Sequence, residues 1–140
     1  MKNTLILIML LTLLAQADFT RADQMVTDSS TSLVWQDDAE AKTTERIWTD
    51  AIDYCEALTL EGHTNWRLPN VNELYYIADR SKSDPAMDTT FQNVVSKFYW
   101  SSTTLVSSTT AAWNVGFLGG HDSFSTKTSE RFVRCVRDGQ

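Results

Sequence analysis

Apolar positions change their spacing several times along this chain, and each change marks an element. Residues 5–14 form one continuous apolar run broken only by Thr12. Residues 18–23 are polar and read as a frayed, flexible N-terminus. The runs 24–27 and 33–36 are short and β-prone, and Asp28, Ser29, Ser30, Thr31 and Ser32 between them make a turn cluster. An N-terminal hairpin is the simplest reading. Residues 37–45 are polar and read as a loop.

At Trp48 the period lengthens. Trp48, Ala51, Ile52, Cys55 and Leu58 line one face of a helix predicted over 48–60, with Asp50, Asp53 and Glu56 on or near the other side. Thr49 and Asp50 suit the positive end of the helix dipole, and Gly62 can end the helix through a left-handed cap. The stretch 66–74 reads WRLPNVNEL. Pro69 cannot sit inside a helix but can precede one. Asn70 can cap, and Glu73 three residues on can reach back to complete a capping box. That second helix runs to about Asp79, with Val71, Leu74, Tyr75, Ile77 and Ala78 as its apolar positions.

The remainder reads as sheet. Residues 81–92 are a loop, 98–102 a compact aromatic strand, and 103–110 a small polar loop. Over 112–117, Trp113, Val115 and Phe117 alternate with Ala112, Asn114 and Gly116. Gly119-Gly120 signals a hairpin turn into a return strand over 121–127, and 131–137 closes the domain as a last strand. Neither an internal repeat nor an interdomain linker is visible.

Composition narrows the function classes. The chain has 140 residues, 42% hydrophobic and 21% charged, which suits one globular domain rather than a disordered segment. Its formal net charge of −6 is wrong for nonspecific contact with nucleic acid or an anionic membrane surface. Lys2, the apolar run and Ala15-Gln16-Ala17 form a secretory leader pattern over 1–17, and the run is too short to span a bilayer. Cleavage after Ala17 is expected to export residues 18–140 to the periplasm or beyond, with no membrane insertion. In an oxidising compartment the two cysteines, Cys55 and Cys135, most economically form one disulfide, although two free thiols are the alternative. They stand 80 positions apart. Closing such a loop would stabilise the fold by about 4–5 kcal/mol on a chain-entropy argument.

The order of elements, with a cysteine on the first helix and another on the last strand, resembles the C-type-lectin-like fold. That resemblance implies an α+β domain with two helices packed on a small, mostly antiparallel, twisted sheet, and one disulfide from helix to last strand. Six strings sharpen it: LVWQD at 33–37, WTDAIDYCEAL at 48–58, WRLPNVNEL at 66–74, YWSST at 99–103, AWNVGF at 112–117 and FVRCVRDG at 132–139. Together they resemble the bacterial Lcl C-terminal domain family over residues 24–139, so 24–140 is taken as the domain. The resemblance implies an extracytoplasmic module. In the collagen-like adhesin that gives the family its name, the domain contributes to glycosaminoglycan binding and assembles as a trimer. This chain has no collagen-like region, and its acidity opposes a sulfated polyanion unless Arg131, Arg134 and Arg137 cluster.

The residues also bear on other chemistries. A lectin-type calcium site needs clustered carboxylates, yet Trp113-Asn114 is followed by Val115 and the 103–110 loop carries none. Arg67-Leu68-Pro69 ahead of a helix also resembles the sulfatase-modifying enzymes, whose oxidase chemistry depends on redox-active cysteines. Here Arg67 and Glu73 read as an ion pair or cap contacts. His63 and His121 have no ligand-spaced partner. Trp48 and the other tryptophans read mainly as core, with Trp66, Trp100 or Trp113 each a candidate sugar-stacking platform. The resulting expectation is a non-enzymatic binding module without metal or cofactor, whose partner is a glycan or a surface protein. Its surface is expected at Thr104 in the 103–110 loop together with Asn114, His121 and Asp122. Arg67, Pro69, Asn70, Glu73, Trp100 and Trp113 are expected to be structural. The alternatives are an envelope protein-interaction domain with no small ligand and a sulfatase-modifying-type enzyme.

Overall fold

The structure, a computed structural model, describes residues 18–139, and the leader read at 1–17 lies outside the described residues. The chain runs β1 (Phe19–Ala22), β2 (Met25–Asp28), β3 (Leu33–Gln36), α1 (Glu40–Thr43), β4 (Glu45–Arg46), α2 (Trp48–Ala57), α3 (Val71–Tyr76), β5 (Phe98–Thr104), β6 (Ala111–Gly116), β7 (His121–Thr126), β8 (Arg131–Phe132) and β9 (Val136–Asp138). The α+β class is as expected. The single sheet is not: there are two, in the orders β1-β2-β3-β9 and β4-β8-β5-β6-β7, with three helices rather than two. Neighbouring strands are antiparallel except β5 and β8, which meet in parallel at Tyr99 and Phe132.

The second sheet arises where the closing run breaks. Residues 131–137 do not form one strand. Arg134 turns fully into the interior to meet Asp37, whose Oδ1 lies 3.0 Å from its Nη1, and it also donates to Asn93 O at 2.6 Å. Main-chain pairing stops around it, so β8 joins one sheet and β9 the other. Cys135 therefore sits in the connector just before β9. Its disulfide to Cys55, with Cα atoms 5.5 Å apart, ties α2 to that connector rather than to a last strand. Gln36 reinforces the same junction. Its side chain accepts from Cys135 N–H at 2.9 Å and donates to the Tyr54 hydroxyl at 2.8 Å.

The N-terminal hairpin forms at the expected place, and Asp28 organises its turn by accepting from the N–H and hydroxyl of Ser30 and the hydroxyl of Thr31. Residues 18–23 are not frayed. β1 pairs along β2, with Phe19 and Arg21 turned inward by the strand alternation. Phe19 packs edge-on against Phe91 at 5.3 Å, and Arg21 pairs with Asp37. Composition missed this because both partners are remote in sequence. α2 ends at Ala57, earlier than predicted. Leu60 instead bridges to His63 around Glu61 and Gly62, both at positive φ. Gly62 is thus a turn residue of the type I′ kind, not a helix cap.

The core has two parts, and β3 divides them. Trp35 packs with Val26, Leu74, Phe91, Tyr99, Val115 and Val136; Val34, one step along, packs on the α2 side with Cys55, Leu68, Trp100 and Ala112. A strand buried on both faces carries no polar alternation. β6 is similar: its two faces split as its alternation predicts, and both are buried except at Trp113, which is half-buried.

Candidate functional site

α3 is short, and tertiary contacts fix its position. Asn70 accepts from Glu73 N–H and Glu73 accepts from Asn70 N–H, both at 2.9 Å, which is the predicted capping box. The Glu73 carboxylate also takes a two-pronged contact from Arg67 at 2.7 and 2.8 Å. Burial alone would raise this carboxyl, but the Arg67 and Asn70 hydrogen bonds hold it below its ordinary value. Val71 N–H donates to Thr103 Oγ1 at 3.0 Å, pinning the start of the helix to β5. At the other end Arg80 donates to Tyr75 O at 2.8 Å and lies 3.5 Å above the Tyr75 ring.

This clamped helix lies across β6 and β7 and leaves a cleft of about 420 Å³ lined by Val71, Asn72, Tyr75, Trp113 and Asp122. Helix geometry puts Val71 and Tyr75 on one side, four residues apart. Strand register puts Trp113, Asp122 and Phe124 on one face: Trp113 pairs with Phe124, and Val115 with Asp122. The Trp113 and Phe124 rings meet edge-on at 6.1 Å. The cleft thus offers an indole, a phenol ring, a carboxamide and a carboxylate. Across the hairpin a second cleft of about 340 Å³ has mostly apolar walls from Phe98, Gly116 and Leu118, with His121 and Asp122 at its rim. At Gly116 a β-carbon would stand 2.8 Å from the Phe98 ring, so a side chain there would displace that ring and reshape the cleft.

The predicted binding residues do not form one surface. His121 and Asp122 are exposed; Asp122 borders both clefts and His121 the second alone. Thr104 pairs with Ala112 near the start of β6, whereas His121 pairs with Gly116 at its end. Four residues of strand, about 14 Å, separate the two pairs. Thr104 accepts from Lys127 Nζ at 3.0 Å at that opposite end. Asn114 is fully buried and donates to Ser125 Oγ at 2.8 Å, because the β6 face that carries it packs toward α2 and Trp100. It cannot touch a ligand at the surface. Trp66 and Trp100 are buried too, leaving Trp113, half-buried, as the aromatic of the three that borders a cleft.

The three C-terminal arginines do not cluster as a basic patch. Arg134 is interior, Arg137 is buried with its guanidinium 5.6 Å from the Trp66 ring, and Arg131 is half-buried and donates to Ser125 Oγ. Burial lowers the affinity of Arg134 and Arg137 for their protons. Among the described residues, no three His, Cys, Asp or Glu side chains come together as a metal site would need.

Asn72 and Tyr75 were not among the sequence candidates. A usable signal was present: Leu74 and Ile77 face inward, so successive 100° steps leave Tyr75 and Tyr76 outside. They are 39% and 48% exposed. The family model described as the Lcl C-terminal domain matches residues 24–137. No curated protein matches the chain.

Proposed function

The chain belongs to the Lcl C-terminal domain family, and from that premise we propose that it is an exported, non-enzymatic module that binds a neutral glycan in the cleft between α3 and the β6–β7 hairpin. The observation that carries the reading is the convergence of Tyr75 and Trp113 with Asn72 and Asp122 around one open cleft. Aromatic rings take the C–H faces of a pyranose, while a carboxylate and a carboxamide take its hydroxyls. Asp122 in the cleft and a net charge of −6 favour an uncharged ligand over a sulfated one. The clamp on α3 lowers the ordering cost of binding. The disulfide supports an oxidising compartment. Its joining of α2 to the closing segment supports assignment to the C-type-lectin-like class. Both cysteines are fully buried and bonded to each other, and Arg67 and Glu73 are spent on each other, which supports a scaffold role for these groups over sulfatase-modifying chemistry.

Residues 18–140 screened on an array of neutral and anionic oligosaccharides should retain neutral glycans. Titration of a retained glycan should perturb tryptophan fluorescence through Trp113. Trp113→Ala or Asp122→Asn should weaken binding at least about tenfold, a loss of about 1.4 kcal/mol, with the melting transition kept cooperative. Retention of no neutral glycan, or binding untouched by both substitutions, rejects the cleft.

A second reading rests on a different observation. Phe98, Leu118 and Phe124 are 42%, 59% and 57% exposed on and around the β6–β7 hairpin. An apolar surface of this kind also suits an envelope protein partner with no small ligand. Cross-linking that captures one defined protein through this hairpin, with no glycan retained, would favour it.

A further inference from the structure

Two exposed tyrosines end α3, and each is held in place. Tyr75 borders the first cleft, with the Arg80 guanidinium 3.5 Å above its ring. Tyr76 is one helical step round from it, and its hydroxyl lies 3.0 Å from Ser30 Oγ. Ser30 spends its own proton on Asp28 Oδ1 at 2.6 Å, so Tyr76 donates to Ser30 and keeps its oxygen lone pairs as acceptors. Ordering an exposed side chain costs conformational entropy, and here that cost is met twice in succession.

Tyr76 opens onto a third cleft of about 420 Å³, walled by Phe19 of β1, the end of α3, and Asp79, Arg80, Ser81 and Asp88 beyond it. Asp79 has both carboxylate oxygens occupied, one by Ser81 and the other by Lys82. Asp88 gives one oxygen to Thr90 N–H at 2.8 Å and keeps the other for a ligand hydroxyl. The third cleft therefore repeats the chemistry of the first, an aromatic ring beside a carboxylate, in a similar volume. Arg80 joins the two. It lines the third cleft while it stacks on the Tyr75 ring of the first, and its Cγ would stand 3.2 Å from a β-carbon at Gly120, in the turn that leads into β7. Its donation to Tyr75 O at 2.8 Å fixes it there.

We infer that the first and third clefts are two subsites for one linear, neutral oligosaccharide that passes over Arg80 at the end of α3. The inference rests on the glycan reading of the first cleft and adds to it the length of the ligand. A sugar chain repeats the same hydroxyls and C–H faces from unit to unit. A surface that repeats ring and carboxylate on two sides of a fixed bridge matches such a chain better than a single sugar. Arg80 offers N–H donors to the oxygens of the unit between. Asp88 at one end and Asp122 at the other oppose an anionic chain. Engaging both clefts through one ligand makes the second contact intramolecular, so affinity rises with chain length.

Isothermal titration of residues 18–140 with cello-, malto- and chito-oligosaccharide ladders, from disaccharide to hexasaccharide, tests this. In a ladder that binds, affinity should rise at least about tenfold from the shortest member to the longest. The double variant Tyr76→Ala with Asp88→Asn should lose that gain and keep disaccharide binding unchanged. Asparagine at 88 retains an acceptor for Thr90 N–H, and a cooperative thermal melt confirms that the variant is folded. Trp113→Ala, in the first cleft, should weaken binding at every length. A long chain also gains by offering more registers to a single cleft, but a gain of that origin survives the double variant. Affinity independent of length, or a gain that the double variant keeps, overturns the second subsite and leaves the first cleft standing. Binding by no ladder, or binding indifferent to Trp113→Ala, rejects the first cleft and the inference with it.

Discussion

Asp37 has no exposed surface, yet four donors converge on its carboxylate: Arg21, Arg134 and the main-chain N–H groups of Gln92 and Asn93. A buried carboxylate survives only with such company. Read in sequence, Asp37 opens a polar loop, because its partners come from both ends and the middle of the chain. Asn114 misleads in the same manner, since strand alternation assigns it a face but not what covers that face. Asp37→Ala leaves Arg134 charged and unpaired in the interior. It should cost about 3–5 kcal/mol in urea denaturation, and adding Arg134→Met should recover part of the loss. If the double variant is no more stable than the single one, the pair is not the reason.

At the scale of the element, α3 is the part most legible in advance. Its capping box was predicted from Asn70 and Glu73 because that interaction closes over three residues. Its end at Tyr76 comes three residues before the predicted stop, and there Arg80 reaches back from beyond the helix to Tyr75 O. Glu73 serves both the cap and Arg67. Glu73→Gln should therefore destabilise the fold by about 1–2 kcal/mol at neutral pH. The sign with pH follows from the depressed folded value. The carboxylate's contribution is complete above its unfolded value near 4.5 and disappears as pH falls through the lower folded value. Urea midpoints of wild type and variant should converge in acid, and a gap that persists or widens there would contradict the assignment. The closing strand illustrates the opposite case. Its apolar pattern is continuous, and only the inward turn of Arg134 divides it between two sheets.

For the whole molecule, the junction between those sheets is the critical place. Cys135, Gln36 and Arg134 all meet there, and the cross-link holds α2 against it. Cys55→Ala with Cys135→Ala should lower stability by about 2–5 kcal/mol, seen as a reduced urea midpoint with a somewhat larger m value from a less constrained unfolded chain. Reducing the wild type should reproduce that shift, and a midpoint unchanged by either treatment would remove the disulfide from the stability argument. The amino-acid order alone determined the family, the α+β class, the hairpin at 25–36, the capped helix at 71 and the pair of cysteines. Each rests on local periodicity, short-range turn and cap chemistry, or a string that can be read directly. Tertiary structure alone decided that there are two sheets, that residues 19–22 form a strand, that Asn114 and Arg134 are interior, and that Tyr75 on α3 borders the same cleft as Trp113 and Asp122. Those outcomes depend on contacts between residues tens of positions apart, where burial and pairing are settled by which surfaces meet and not by the residues alongside.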